Sequence, residues 1–152
     1  MATERVTAND ALGLAQRFHD LAVIVGDYRF KHWPHLTAAQ RRTLEDLQWS
    51  LLNASSDLIT RAVGIVLDTT STSVAQLQQA TLEAERALET LADVRRAIRV
   101  ATAAVGLAAA IAAKNPDAIV ANAKEVLAAA SDGAAPRSAL RRRPTRRRRR
   151  RV

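Results

Sequence analysis

Cysteine is absent from the chain, so neither disulfides nor thiolate metal sites can hold it together. Glycine and proline are scarce, five and four in 152 residues, and strand-like alternation of apolar and polar residues is missing. Sheets joined by tight turns are thereby excluded, and the fold class reads as all-α. Only five aromatic residues occur, and Phe18, Tyr28, Phe30, Trp33 and Trp49 all precede residue 50. The longest uncharged stretch of apolar character, 100–113, has 14 residues and is mostly alanine. A membrane-spanning helix needs about 20 apolar residues, so no span is expected. Glu4, Arg5 and Asp10 interrupt the first residues before an apolar core forms, which argues against a signal peptide and for a cytoplasmic location.

What the chain has in excess is arginine, and that excess sits at one end. Arg137, Arg141, Arg142, Arg143, Arg146, Arg147, Arg148, Arg149, Arg150 and Arg151 supply ten of the 23 basic residues. Taking those ten away leaves 13 basic against 15 acidic residues in 1–133, a net charge of −2. Attraction to an acidic partner is therefore concentrated in 134–152, a segment with two prolines and almost nothing to bury. It reads as a disordered tail following a helical domain over 1–133.

Within 1–133 the organising pattern is a heptad over 74–113. One seven-residue row runs Leu77, Ala84, Leu91, Ile98, Val105 and Ala112; a second runs Ala80, Ala87, Val94, Ala101 and Ala108. Read as one helix this makes an amphipathic rod about 60 Å long. Thr7 can cap a first helix over about 8–29 that buries Leu14, Phe18, Leu21, Val25 and Tyr28, with a price at Gly13 and Gly26 that a close helix contact would offset. Pro34 breaks the chain, and Thr37 with Gln40 has the spacing of a capping box. A second helix over about 38–68 carries Leu44, Leu47, Leu51, Ala54, Leu58, Ala62 and Ile65. The run Thr69-Thr70-Ser71-Thr72-Ser73 predicts a turn near Ser71, with Ser73 and Gln76 as a further capping box.

If the chain folds back at 71, Leu44 meets Ile98, Leu51 meets Leu91, Leu58 meets Ala84 and Ile65 meets Leu77. That register also brings Arg95, Arg96 and Arg99 to Glu45 and Asp46, as a partly exposed ion-pair cluster rather than an anion site. Asn115-Pro116-Asp117 ends the rod and starts a helix over about 116–131, with Ile119, Val120, Ala123, Val126, Leu127 and Ala130 as its stripe and Gly133 as its stop. The expected architecture is an antiparallel four-helix bundle with a long central hairpin and a disordered basic C-terminal tail.

The arginine run is the strongest chemical signal. The planar guanidinium donates paired hydrogen bonds to phosphate, so the ten tail arginines are the expected nucleic-acid contacts, holding DNA or RNA backbone without reading bases. Anionic lipid and acidic proteins suit the same polycation. Leu107 and Ile111 overhang the expected hairpin and are read as partner-binding residues that drive homo-oligomerisation. The aromatic residues are read as a plug in the corner between the first helix and the hairpin, with Trp33 as the candidate partner-binding anchor if they form a docking patch instead. His19, His32 and His35 lack a carboxylate at ligand spacing, so no metal and no cofactor is expected. The Arg29–His35 spacing resembles that of some helical ribonucleases, but no nucleophile–base set, phosphate-cradling loop or pair of acids accompanies it. The reading is a non-enzymatic assembly or adaptor protein with no small-molecule substrate. Its alternative is a membrane-active or membrane-coating protein that uses the apolar 100–130 region, with the basic tail on anionic lipid.

Overall fold

The structure, a computed structural model, describes residues 2–132. Five α-helices and a short two-stranded ribbon follow one another: β1 (Thr3–Arg5), α1 (Ala8–Lys31), a 3-10 turn (Trp33–His35), α2 (Ala38–Arg61), β2 (Val66–Asp68), α3 (Val74–Thr90), α4 (Val94–Ala112) and α5 (Pro116–Asp132). The all-α class holds. The tail over 134–152 and the stop at Gly133 lie outside the described residues.

Local chemistry sets the helix starts. The Asp10 N–H donates to Thr7 Oγ1 at 3.1 Å while the Thr7 N–H donates to Asp10 Oδ2 at 3.0 Å. The same reciprocal box opens α2 with Thr37 and Gln40, and α3 with Ser73 and Gln76. Each box satisfies two of the backbone donors that a helix N-terminus leaves over. At α5, Asn115 Oδ1 accepts from the Ala118 N–H at 3.2 Å, and Pro116 occupies the first helical position.

The helices run alternately. Gly26 of α1 faces Gln48 of α2, and Arg29 pairs with Glu45, so α1 and α2 are antiparallel. A Cβ at Gly26 would lie 2.5 Å from Gln48 Nε2, the close approach that rewards a glycine inside a helix. Gly13 lies beside Gln78, and the C-terminal turns of α1 and α3 share a cleft, so these two run parallel. Gly106 against Asn122, and Arg99 against Glu125, make α4 and α5 antiparallel. Thus α1, α3 and α5 point one way, and α2 and α4 the other.

Three features depart from the sequence reading. First, the rod expected over 74–113 is two helices. Leu91 is extended (ψ 124°), and Asp93 starts α4 by accepting the Arg95 N–H at 3.0 Å. The heptad passes over this break because Leu91 stays buried on both accounts. After it the buried face moves: Ala97, Val100, Ala101, Ala104, Leu107, Ala108 and Ile111 are in the core, while Ile98, Val105 and Ala112 are half-buried.

Second, α2 stops at Arg61 instead of reaching 68. Gly64 adopts φ 84°, a left-handed conformation natural to glycine, and Ile65-Val66-Leu67 continues as extended chain. β2 pairs antiparallel with β1, Glu4 opposite Leu67. Glu4 Oε1 then accepts the Val74 N–H at 2.7 Å, placing a carboxylate at the positive end of α3. Val6 and Leu67, 2% and 1% exposed, seal that end of the core.

Third, the chain reverses between α2 and α3 as expected, but the two helices do not pack on each other along their length. α2 lies against α1 and α4, while α3 lies against α1, α5 and α4. Ser50, Ala54, Asp57 and Arg61 share a groove with Val105, Ala109 and Ala113, so the register that put Leu58 opposite Ala84 does not form. Large side chains on α1 (Leu14, Phe18, Leu21, Val25 and Tyr28, all buried) compete for both α2 and α3 and win. The expected cluster of Arg95, Arg96 and Arg99 on Glu45 and Asp46 gives way to other pairs: Arg29–Glu45 at 3.4 Å, Arg96–Asp93 at 3.9 Å and Arg99–Glu125 at 3.5 Å.

Candidate functional site

The site residues expected from the sequence fall in three places. The ten arginines from Arg137 to Arg151 lie outside the described residues. Leu107 and Ile111 are 0% and 1% exposed, so neither offers a partner surface in this fold. Their overhang vanishes because α4 turns back at 91–93 and α5 packs along it. Trp33, in contrast, is 41% exposed at the junction of α1 and α2.

The rings at this junction divide by helix phase. Phe18, Leu21, Val25 and Tyr28 follow steps of three and four residues and are buried. Phe30 comes two residues after Tyr28, about 200° further around the helix, and is 69% exposed. Trp49 on α2 is also exposed. The expected aromatic plug is therefore only half right, since three of the five rings stand in solvent.

Phe30 and Trp33 lie nearly parallel, with centroids 6.2 Å apart and planes 16° from each other. The Arg41 guanidinium sits over the indole, its Cζ 4.1 Å from the ring centroid, and its Nη2 donates to the Trp33 carbonyl at 2.8 Å. The Arg29 Cζ lies 5.1 Å from the Phe30 centroid and 6.0 Å from that of Trp33. These are cation–π distances, with each arginine also tethered, Arg29 by Glu45 and Arg41 by the backbone. The Nε atoms of both arginines are buried without a hydrogen-bond acceptor. Pro34 in the 3-10 turn, buried Leu36 and the Thr37 cap fix the backbone beneath.

On the inner side of the same junction, the Tyr28 and His32 rings approach to 4.1 Å at 32°. Burial, and then the charge of Asp93, raises the Tyr28 hydroxyl above its ordinary pKa, and that hydroxyl has no hydrogen-bond partner. Burial, followed by the neighbouring Lys31 and His35, lowers His32. Among the described residues no three histidine, aspartate or glutamate side chains converge to hold a metal ion, and no helix is long and apolar enough to cross a membrane. The sequence reading puts Phe30 and Trp33 in one corner but does not bring Arg29 and Arg41 onto their rings. The phase of Phe30 against Tyr28 was the signal available for its exposure.

No family model matches the chain, and no curated protein or solved structure matches it significantly.

Proposed function

We propose that this protein is a non-enzymatic helical adaptor whose arginine-rich segment binds nucleic acid without base specificity, acting in the cytoplasm. The observation that carries the reading is charge segregation: ten arginines follow Gly133, while 1–133 is nearly neutral at −2. Arginine meets phosphate through paired hydrogen bonds, and the cations contact a backbone common to every sequence. Self-association belongs to the same proposal, because several copies presenting their tails together gain avidity through effective concentration. Leu107 and Ile111 are unsuited to that role, whereas Leu127 on α5 is 42% exposed beside the α3–α5 cleft.

The membrane-coating alternative loses its apolar surface, because most of the large side chains between 100 and 130 face the core. The polycation alone still suits anionic lipid. Binding of the full chain to random-sequence RNA and duplex, and to anionic vesicles, compares the two directly. The proposal expects sequence-indifferent nucleic-acid binding that disappears when the ten arginines are replaced by glutamine. Vesicle binding without nucleic-acid binding would reverse the assignment.

A further inference from the structure

We propose that the Phe30–Trp33 corner is a stacking site for an unpaired base, so that the protein prefers single-stranded over duplex nucleic acid. This rests on the reading that the arginine segment engages nucleic acid, and it adds a strand preference that a polycation alone does not supply.

Exposed aromatic rings combined with cations are the means by which proteins hold single strands without reading sequence. Every base has a π-face, and in a duplex that face is covered by its neighbours, so only an unpaired base can meet a protein ring. Phe30 offers the open ring at 69% exposure. Trp33 stacks against it at a 16° tilt, with the centroids 6.2 Å apart. Arg41, stacked on the indole and bonded to the Trp33 carbonyl, holds that ring in place. Arg29, its Cζ over the Phe30 ring at 5.1 Å from the centroid, brings a guanidinium within reach of a phosphate of the stacked nucleotide. Trp49 lies two helical turns beyond Arg41 on α2, about 12 Å along the axis, and is 58% exposed.

The local charge favours this occupant over an acidic protein surface only in combination with the tail. Arg29, Lys31, Arg41 and Arg42 face Asp27, Glu45 and Asp46 over the same stretch, a small positive excess. Affinity therefore comes from the arginine segment, and the corner supplies discrimination. Exposed rings flanked by cations suit a nucleotide better than a peptide.

The test uses the full chain with labelled oligonucleotides of one sequence, single-stranded and duplex. Phe30→Leu keeps the apolar bulk and removes the ring; Phe30→Tyr keeps the ring. Phe30→Leu and Trp33→Ala should lower single-strand affinity roughly 5- to 150-fold and leave duplex affinity unchanged, with Phe30→Tyr close to the parent. In a Trp49→Phe background, single strands should quench Trp33 emission and duplexes should not. Unchanged thermal unfolding shows that these exposed substitutions leave the fold intact. If the parent binds both forms and Phe30→Leu alters neither, the stacking site is wrong while the tail reading stands. If the parent binds neither, both fall. A role of the rings in holding a protein partner would appear as the first of these results.

Discussion

The α1–α2 side of the molecule and the α4–α5 side are equally helical but built from different material. The first buries Leu14, Phe18, Leu21, Val25, Tyr28, Leu44, Leu51 and Leu58; the second buries fewer large side chains, Val100, Leu107, Ile111, Ile119 and Val126, among many alanines, Ala97, Ala101, Ala104, Ala108, Ala123 and Ala129. Large side chains supply transfer energy, about 1.5–3 kcal/mol for each one fully buried. Alanine supplies little, but it lets backbones approach. At Gly106 a Cβ would stand 2.7 Å from Asn122 Oδ1. The larger share of that burial lies on the aromatic-bearing side, which also carries the exposed rings of the candidate site. The alanine side is a close-fitting buttress.

Four substitutions sharpen or break that contrast. Phe18→Ala empties a wholly buried ring position and should cost about 3–5 kcal/mol in denaturant unfolding; a cost below about 1 would deny α1 its central place. Ala104→Leu, placed where alanine is 1% exposed, should cost about 1–3 kcal/mol by overpacking. A stabilised variant would mean that α4 and α5 are loosely fitted rather than close. Asp93→Ala removes the cap that starts α4 after the break from α3, and should cost about 1 kcal/mol in the same unfolding measurement.

The smallest effect is expected at Glu85 on α3. Its carboxyl is raised above the ordinary range by burial, then by Asp20 and against the pull of Arg17, and its Oε1 lacks a partner. A raised carboxyl favours the neutral form in the folded state, so the ionised group penalises folding above its folded pKa. Below its unfolded value the penalty is gone. Glu85→Gln should accordingly raise the melting temperature at pH 7, and the gain should fade as the pH falls through the raised folded pKa and be gone below about 4. A gain equal at both pH values would place the effect elsewhere.

Much of this organisation could be read from residue order. The four starts at Thr7, Thr37, Ser73 and Asn115 follow from side chains that reach their own backbone, and the buried rows follow from helical spacing. Neighbour choice could not be read so directly. An apolar stripe on α2 states that something covers Leu51 and Leu58, but α1 and α4 cover them as well as α3 would. The ribbon escaped because its strands are three residues each and Thr3-Glu4-Arg5 is polar. The break at 91–93 escaped because Leu91 satisfies the heptad whether or not the helix continues. Trp33 was recognised as a candidate anchor, yet the arginines that stack on its corner come from two helices brought together only by folding.

The central claim, that the segregated arginines grip phosphate, is tested most directly by the salt dependence of duplex binding. If all ten arginines engage, log K should fall against log salt with a slope near about −9 for the full chain. The slope should collapse towards zero when those ten are glutamine. Equal slopes for the two proteins would contradict the account.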